Sequence, residues 1–372
     1  MHPLLRSVLA IGLVAAVPAG LARPDFASAQ AFTPTVFVSD AEAPEGQPVT
    51  FTVTVSGAHP DTTVAWGTID GTALDGLDFV GSLGNTVTVP ATANTATFSV
   101  PTVQDATWEP DEQFQVEIYN LTPTGTIIDY RGTGTIRNDD LKPQIAVKGG
   151  DVTEGDAGFV NAVFEVTLSN PSVLPVWFDY QTLQGTATGG TPATVGADYV
   201  NTTGRQGWTP GTSAPIQILV PVKGDRTHEE DESFQLQLSN IHNADPPSAV
   251  ATANIINNDP KPAVAVADGA TFEGNADHPY SVVASLSNPS IDDVTFKFRT
   301  ANGTATSPSD FRQAGGGSVT IPAGATSGLI PLTIDTDLQH EDTEAFSVVI
   351  YNAQNAFLGD SVSDVTIVDD DP

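Results

Sequence analysis

Hydrophobic and polar residues alternate one by one in short runs along most of the chain. Phe51-Thr52-Val53-Thr54-Val55, Phe164-Glu165-Val166-Thr167-Leu168 and Phe234-Gln235-Leu236-Gln237-Leu238 are strict examples, and Ser281-Val282-Val283-Ala284-Ser285-Leu286 is a looser one. In an extended strand successive side chains point to opposite faces, so each run has one apolar and one polar face. The runs are brief and broken by Gly, Pro and Asn, and no helical period emerges. That pattern predicts an all-β chain of antiparallel strands packed sheet on sheet.

The runs belong to a unit that occurs three times, and internal repetition is the strongest signal in the sequence. Each copy opens with Glu-Gly, at Glu45-Gly46, Glu154-Gly155 and Glu273-Gly274. An alternating run follows, then Gly-Thr-Ala at Gly71-Thr72-Ala73, Gly185-Thr186-Ala187 and Gly303-Thr304-Ala305. Next come an Asp and an aromatic: Asp78-Phe79, Asp198-Tyr199, Asp310-Phe311. An acidic loop leads into a second alternating run beginning at Phe114, Phe234 or Phe346. Each copy closes on a polar triplet, at Asn138-Asp139-Asp140, Asn257-Asn258-Asp259 and Asp369-Asp370-Asp371. About 110 residues per copy is the size of an immunoglobulin-like sandwich of some seven strands. The expected layout is three tandem immunoglobulin-like antiparallel β-sandwiches, over 33–140, 143–259 and 262–372. The linkers Leu141-Lys142-Pro143 and Pro260-Lys261-Pro262 are short and proline-stiffened, so a semi-rigid row is expected.

Residues 1–29 read as a secretory signal. His2 and Arg6 precede an apolar stretch from Val8 to Val17, and Ala27-Ser28-Ala29 supplies the small-x-small cleavage pattern before Gln30. The mature chain is therefore expected to be exported, to the medium, the cell surface or a periplasm, with no membrane span. Acidic residues number 45 and basic ones 13, a net charge of −32. Such a charge argues against nucleic acid and against anionic membrane surfaces, whose phosphates require Lys and Arg. It suits a cationic partner. There is no Cys, which excludes disulfides, thiolate nucleophiles and Cys-type zinc sites.

The acid is concentrated in the three loops. They run from Asp105 through Glu109, Asp111 and Glu112 to Phe114, from Asp225 through Glu229, Glu230, Asp231 and Glu232 to Phe234, and from Asp337 through Glu341, Asp342 and Glu344 to Phe346. Their common skeleton is Asp, three residues, Glu, two residues, Glu, one residue, Phe. Two like charges ~4 Å apart repel by about 1 kcal/mol in water and about 4 kcal/mol at a surface-like dielectric. A solvated acidic rim needs no fixed register, whereas Ca²⁺, which takes 6–8 hard oxygen ligands, does. Magnesium would demand a tighter octahedron, and zinc or copper would normally bring His or Cys. His228 and His340 fall where the first copy has Trp108, so they read as solvated spacers. Asp335-Thr336-Asp337 lacks the glycine and helices of an EF-hand.

At these residues the sequence resembles the Calx-beta domain. The resemblance rests on Glu-Gly, Gly-Thr-Ala with the following Asp-aromatic pair, the acidic loop and the closing triplet, and it covers nearly all of 33–372. It implies an immunoglobulin-like sandwich with calcium at one end. The implied ligands of the first copy are Glu45, Asp78, Asp105, Glu109, Glu112, Asp139 and Asp140. Those of the second are Glu154, Asp198, Asp225, Glu229, Glu232 and Asp259. Those of the third are Glu273, Asp310, Asp337, Glu341, Glu344, Asp369, Asp370 and Asp371. The second copy departs from the pattern: Asn257 and Asn258 replace acids, and 11 positions separate Ala187 from Asp198 where the other copies have 5. By ligand count and the longer approach to Asp198, the third site is expected to bind calcium most tightly and the second most weakly.

Catalysis is not expected. The carboxylates are clustered rather than paired in a cleft, and Trp66, Trp108, Trp177 and Trp208 do not align into a repeated sugar platform. Two non-catalytic readings remain. One is a calcium-binding module for adhesion, matrix assembly or a surface protein or polysaccharide, with joints stiffened by calcium. The other is a structural spacer with little calcium dependence.

Overall fold

A computed structural model describes residues 33–372, and the expected signal at 1–29 lies outside them. Among the described residues there is no helix. The chain forms two compact units: the described residues up to Val103 with Glu112–Arg137, and Gln104–Asp111 with Asn138–Pro372.

The first unit is one sandwich. One sheet has the order Thr95–Val100, Val49–Ser56, Thr35–Val38, Thr126–Asp129, and the other Ala41–Pro44, Arg131–Arg137, Glu112–Thr122, Thr62–Ile69, Leu83–Val89. The second unit holds two sandwiches of the same plan. In the second repeat Gln144–Lys148 and Gly158–Leu168 lie in one sheet, and Val152–Thr153, Val250–Ile256, Glu232–His242 and Val176–Gln184 in the other. In the third, Ala263–Val266 and His278–Leu286 face a sheet containing Gly269–Phe272, Val362–Val368, Glu344–Gln354 and Val294–Ala301.

The long pairings are antiparallel, as the alternation predicts. The opening strand of each repeat, however, divides between the sheets, and both halves have a parallel partner later in the repeat. Ala41–Pro44 runs parallel to Arg131–Arg137, Val152–Thr153 to Val250–Ile256, and Gly269–Phe272 to Val362–Val368. Asp40 helps to fix the break in the first repeat, its Oδ1 accepting the Thr133 N–H at 2.7 Å. Those parallel pairs place the Glu-Gly turn beside the end of the last strand. The Glu45, Glu154 and Glu273 amides donate to the carbonyls of Arg137, Ile256 and Val368.

Each sandwich has its own core, with the apolar members of the alternating runs buried and their neighbours turned outward. The aromatic after the repeated Asp stacks on the Phe that follows the acidic loop. Phe79 lies 4.5 Å from Phe114, Tyr199 4.2 Å from Phe234 and Phe311 4.0 Å from Phe346, centroid to centroid. All six rings are fully buried, so the core itself anchors the acidic end of each sandwich.

Candidate metal centres

The Gly-Thr-Ala motif is a clamp. The Oγ1 atoms of Thr72, Thr186 and Thr304 accept the backbone N–H of Gln113, Ser233 and Ala345, the residues just before the buried Phe. The amides of Ala73, Ala187 and Ala305 donate back to the carbonyls of those same residues. A Cβ on Gly71, Gly185 or Gly303 would collide with that carbonyl oxygen, which is why glycine stands there. The next turn is pinned as well: Asp78, Asp198 and Asp310 each accept, at 2.6 Å, an N–H from Leu74, Thr188 or Thr306. Clamp, stacked rings and turn together hold this Asp against the acidic loop.

In the third repeat the carboxylates form two groups. Asp310, Glu341 and Glu344 each bring one oxygen within 4.8 Å of the others, and so do Glu273, Asp369 and Asp371. A cation with bonds of about 2.5 Å can bridge oxygens that far apart. Burial, then the hydrogen bond with Asp310, pushes Glu344 up to about 6. Burial, then Asp310 and Asp337, raises Glu341. Burial also raises Glu273, against the N–H it accepts from Asp337, and raises Asp371 beside Asp369. Asp369 goes the other way: burial acts to raise it, but hydrogen bonds from the Asp371 N–H and from His340 hold it below the usual range. Asp337 and Asp370 stay outside both groups. Asp370 accepts the Gly274 N–H at 2.8 Å, and Asp337 accepts that of Gln339 at 2.7 Å.

In the second repeat Asp198, Glu229 and Glu232 form one group within 4.8 Å. Burial is the largest cause that pushes Glu154 and Glu229 up to about 7 and Glu232 to about 8. For Glu232 the next cause is its hydrogen bond with Asp198. Glu154 is next affected by Glu229, Asp259 and Asp225. Asp225 accepts the Thr227 N–H and, with Glu154 and Asp259, is not in the close group. The two departures of this repeat from the common pattern have visible structural outcomes. The extra residues before Asp198 do not loosen it, because they fold into Gly189–Gly190 paired with Tyr199–Val200 while Asp198 keeps its bond from Thr188. Asn258 does the work of Asp370, accepting the Gly155 N–H at 2.9 Å, whereas Asn257 stands where the third repeat has Asp369, so that replacement does take an acid from a close group.

The first repeat's candidates are divided between the two units. Glu45, Asp78 and Glu112 belong to the first, and Asp105, Glu109, Asp139 and Asp140 to the second. Within the second, burial, then Asp139 and Asp105, raises Asp140.

Several buried carboxylate oxygens have no hydrogen-bond partner: Oε1 of Glu154, Oε2 of Glu232, and Oδ2 of Asp140, Asp259 and Asp371. Glu154 is 6% exposed and Asp259 8%. A desolvated carboxylate left unpaired costs several kcal/mol of order, and a hard cation satisfies it where a proton removes its charge. The donor set is all oxygen, so it fits calcium, which would be held by the two groups of the third repeat and by Asp198, Glu229 and Glu232 of the second.

The histidines are more than solvated spacers. The His340 Nδ1 lies 2.6 Å from Asp369, and the His228 Nδ1 3.0 Å from the Asp259 carbonyl. Trp108 and His228 also pair, main chain to main chain, with the following repeat. The Trp108 N–H donates to Pro171 O and its carbonyl accepts from Val173, while His228 does the same with Pro289 and Ile291. The unlike chemistry of Trp108 and His228 hid this, since the pairing uses only backbone.

The Calx-beta domain model matches residues 30–129, 152–259 and 276–371. No curated protein sequence matches the chain. Among solved structures it is similar to the calcium binding domain CBD12 of CALX1.1, at 21% identity over 57% of this chain and 82% of that one, with a TM-score of 0.27. It is also similar to the apo form of the Calx CBD1 domain, at 19% identity over 30% and 100%, TM-score 0.27. Titin domains z1z2, solved in complex with telethonin, match at 15% identity over 61% and 98%, TM-score 0.25. Three separate family matches span most of the sequence, one on each of the three repeats, so the chain belongs to the Calx-beta domain family.

Proposed function

We propose that this is an exported calcium-binding protein whose three sandwiches serve adhesion, matrix assembly or another cell-surface interaction, and whose joints stiffen when calcium binds. The observation that carries the calcium reading is the set of buried, unpartnered carboxylate oxygens at Glu154, Glu232, Asp259 and Asp371, next to the close oxygen groups. Export is supported by the signal-like pattern of residues 1–29. The role is binding rather than catalysis, with a surface protein or polysaccharide as partner. Joint stiffening is supported by the position of Asp259, which ends the second repeat just before Pro260-Lys261-Pro262 and whose carbonyl meets the joint residue His228. Calorimetric titration of the mature chain with calcium tests the reading, alongside small-angle scattering with calcium and with chelator. Saturable calcium uptake and a smaller spread of dimensions are expected. No uptake would leave the spacer reading; uptake with unchanged scattering would remove the stiffening.

A further inference from the structure

The turn between His278–Leu286 and Val294–Ala301 begins Ser287-Asn288-Pro289-Ser290, the same four residues as Ser169-Asn170-Pro171-Ser172 in the second repeat. The first repeat has Ser56-Gly57-Ala58-His59 there. The two copies that follow another in this sequence carry the motif, and the first does not. Ser287 fixes the turn to its own sandwich: its Oγ accepts the Ala263 N–H at 3.0 Å and donates to Asn288 Oδ1 at 2.8 Å. That bond aims the Asn288 amide nitrogen, which donates to the carbonyl of linker residue Pro260 at 2.9 Å and to that of Pro289 at 3.2 Å. The Pro289 carbonyl also accepts the His228 N–H at 2.9 Å, and the Ile291 N–H donates to the His228 carbonyl at 3.0 Å. Ser290, 3% exposed, ties the turn down again, its carbonyl accepting the Gly324 N–H and its Oγ the Asp292 N–H.

The same bonds recur around Asn170, all within the second compact unit. The Ser169 Oγ accepts the Gln144 N–H and donates to Asn170, whose amide donates to the carbonyls of Leu141 at 2.9 Å and Pro171 at 3.3 Å. Pro171 and Val173 then meet Trp108. The turn touches only main chain, so it takes linkers of different sequence and loop residues as unlike as Trp108 and His228. Each motif residue has a chemical reason. An amide can accept from Ser287 and still donate twice, which a carboxylate cannot. Proline fixes the backbone of the turn and brings no N–H of its own. His340 is the counterpart of His228 in the third repeat, and its main-chain N–H and carbonyl take no partner among the described residues.

We propose that Ser-Asn-Pro-Ser is a docking motif for the main chain of a preceding sandwich, so that Asn288, Pro289 and Ile291 latch the third repeat onto the linker and the His228 loop of the second without any ion. The partner it fits is a sandwich whose acidic loop offers an N–H and a carbonyl at the His228 position, followed by a linker carbonyl at the Pro260 position. The latch goes beyond the calcium reading and does not rest on it; calcium bound by Glu229 and Glu232 adds to it by steadying the loop that carries His228.

The test uses the full mature chain in chelator, read by hydrogen exchange at single amides. In the wild type His228 and Ile291 are expected to be protected about tenfold or more relative to His340, which lacks the pairing. Asn288→Ala and Asn288→Asp should each bring His228 and Ile291 to the protection of His340, while the amides of Glu344–Gln354 keep wild-type rates. Asn288→Asp keeps the oxygen to which Ser287 donates and loses only the two donors, so it decides the matter if Asn288→Ala loosens the third sandwich itself. His228 and Ile291 exchanging as freely as His340 in the wild type, or unchanged in Asn288→Asp, would overturn the latch. Calcium titrations of wild type and Asn288→Asp run alongside with equal uptake expected; no uptake in the wild type would remove the calcium reading and leave the latch standing.

Discussion

Tyr199 carries a hydroxyl that meets no partner although the residue is 1% exposed. Its counterparts Phe79 and Phe311 fill the same stacked position without one. A buried unsatisfied hydroxyl costs about 1–3 kcal/mol, part of which the ring's own burial masks. Tyr199→Phe is therefore expected to leave the fold intact and raise stability by up to about 1 kcal/mol in urea denaturation. The carboxylates follow a related logic with the opposite functional sign. Glu344 sits against Asp310 and is pushed up to about 6 by burial and that hydrogen bond. Glu344→Gln should weaken calcium binding while leaving the calcium-free form equal or more stable, because it removes a charge that only the ion satisfies. Parallel calcium titrations and calcium-free melts of this variant check both halves. At this scale the sequence was informative about residue type and spacing. It could not separate Asp370, which holds the Gly274 amide, from Asp369 and Asp371, which meet Glu273, since three consecutive aspartates look alike until the backbone turns them.

The element that matters most is the strand entry clamped by Gly-Thr-Ala. The clamp, and not the acidic loop alone, brings a carboxylate 30-odd residues upstream into reach of the loop glutamates. Thr304→Val removes the acceptor for the Ala345 N–H and should cost about 1 kcal/mol of stability. Gly303→Ala forces a Cβ into the Ala345 carbonyl and should cost about 1–3 kcal/mol. Both should weaken calcium binding as well, because Asp310 loses its register with Glu341 and Glu344. Denaturation midpoints with and without calcium measure the two effects together. The motif was visible as a repeated string, but its purpose was not: a close approach of two backbones leaves no mark in composition beyond a glycine.

At the scale of the whole chain, proton and calcium compete for the same oxygens. In the calcium-free second repeat Glu154, Glu229 and Glu232 are pushed up to about 7, 7 and 8. In the unfolded chain they ionise near the ordinary 4.5. Between those limits the folded form holds protons that the unfolded form does not, so folding stability falls as pH rises. The calcium-free protein is thus expected to lose stability between pH 4.5 and 8, and saturating calcium should flatten or reverse that slope. Urea melts at pH 5, 6.5 and 8, with chelator and with calcium, read this directly; a calcium-free chain most stable at pH 8 would contradict it. Across the repeats, the third has two close oxygen groups and the second has one, together with the highest carboxylate pKa values. At neutral pH the third should bind calcium more tightly than the second, and the second should gain affinity with pH and release protons on binding. Calorimetry in two buffers of different ionisation enthalpy, on chains with one site removed at a time, checks both statements.

The all-β character, the threefold repetition and the loops that carry the acid were legible in the sequence, because strand alternation and turn residues are local properties and recur at a fixed spacing. The family resemblance followed from the same strings. Three things depended on tertiary structure. The opening strand of each repeat divides between two sheets, which alternation cannot show because both halves alternate alike. Asp198 keeps its place despite the longer approach, because Gly189–Gly190 of the insertion pairs with Tyr199–Val200 just after it. Asn258 and Asp370 serve the Glu-Gly turn rather than the close groups, an allocation made by the backbone path. Each of these is a relation between residues far apart in the chain, set by which surfaces the cores bring together, and a pattern read along one strand carries no record of it.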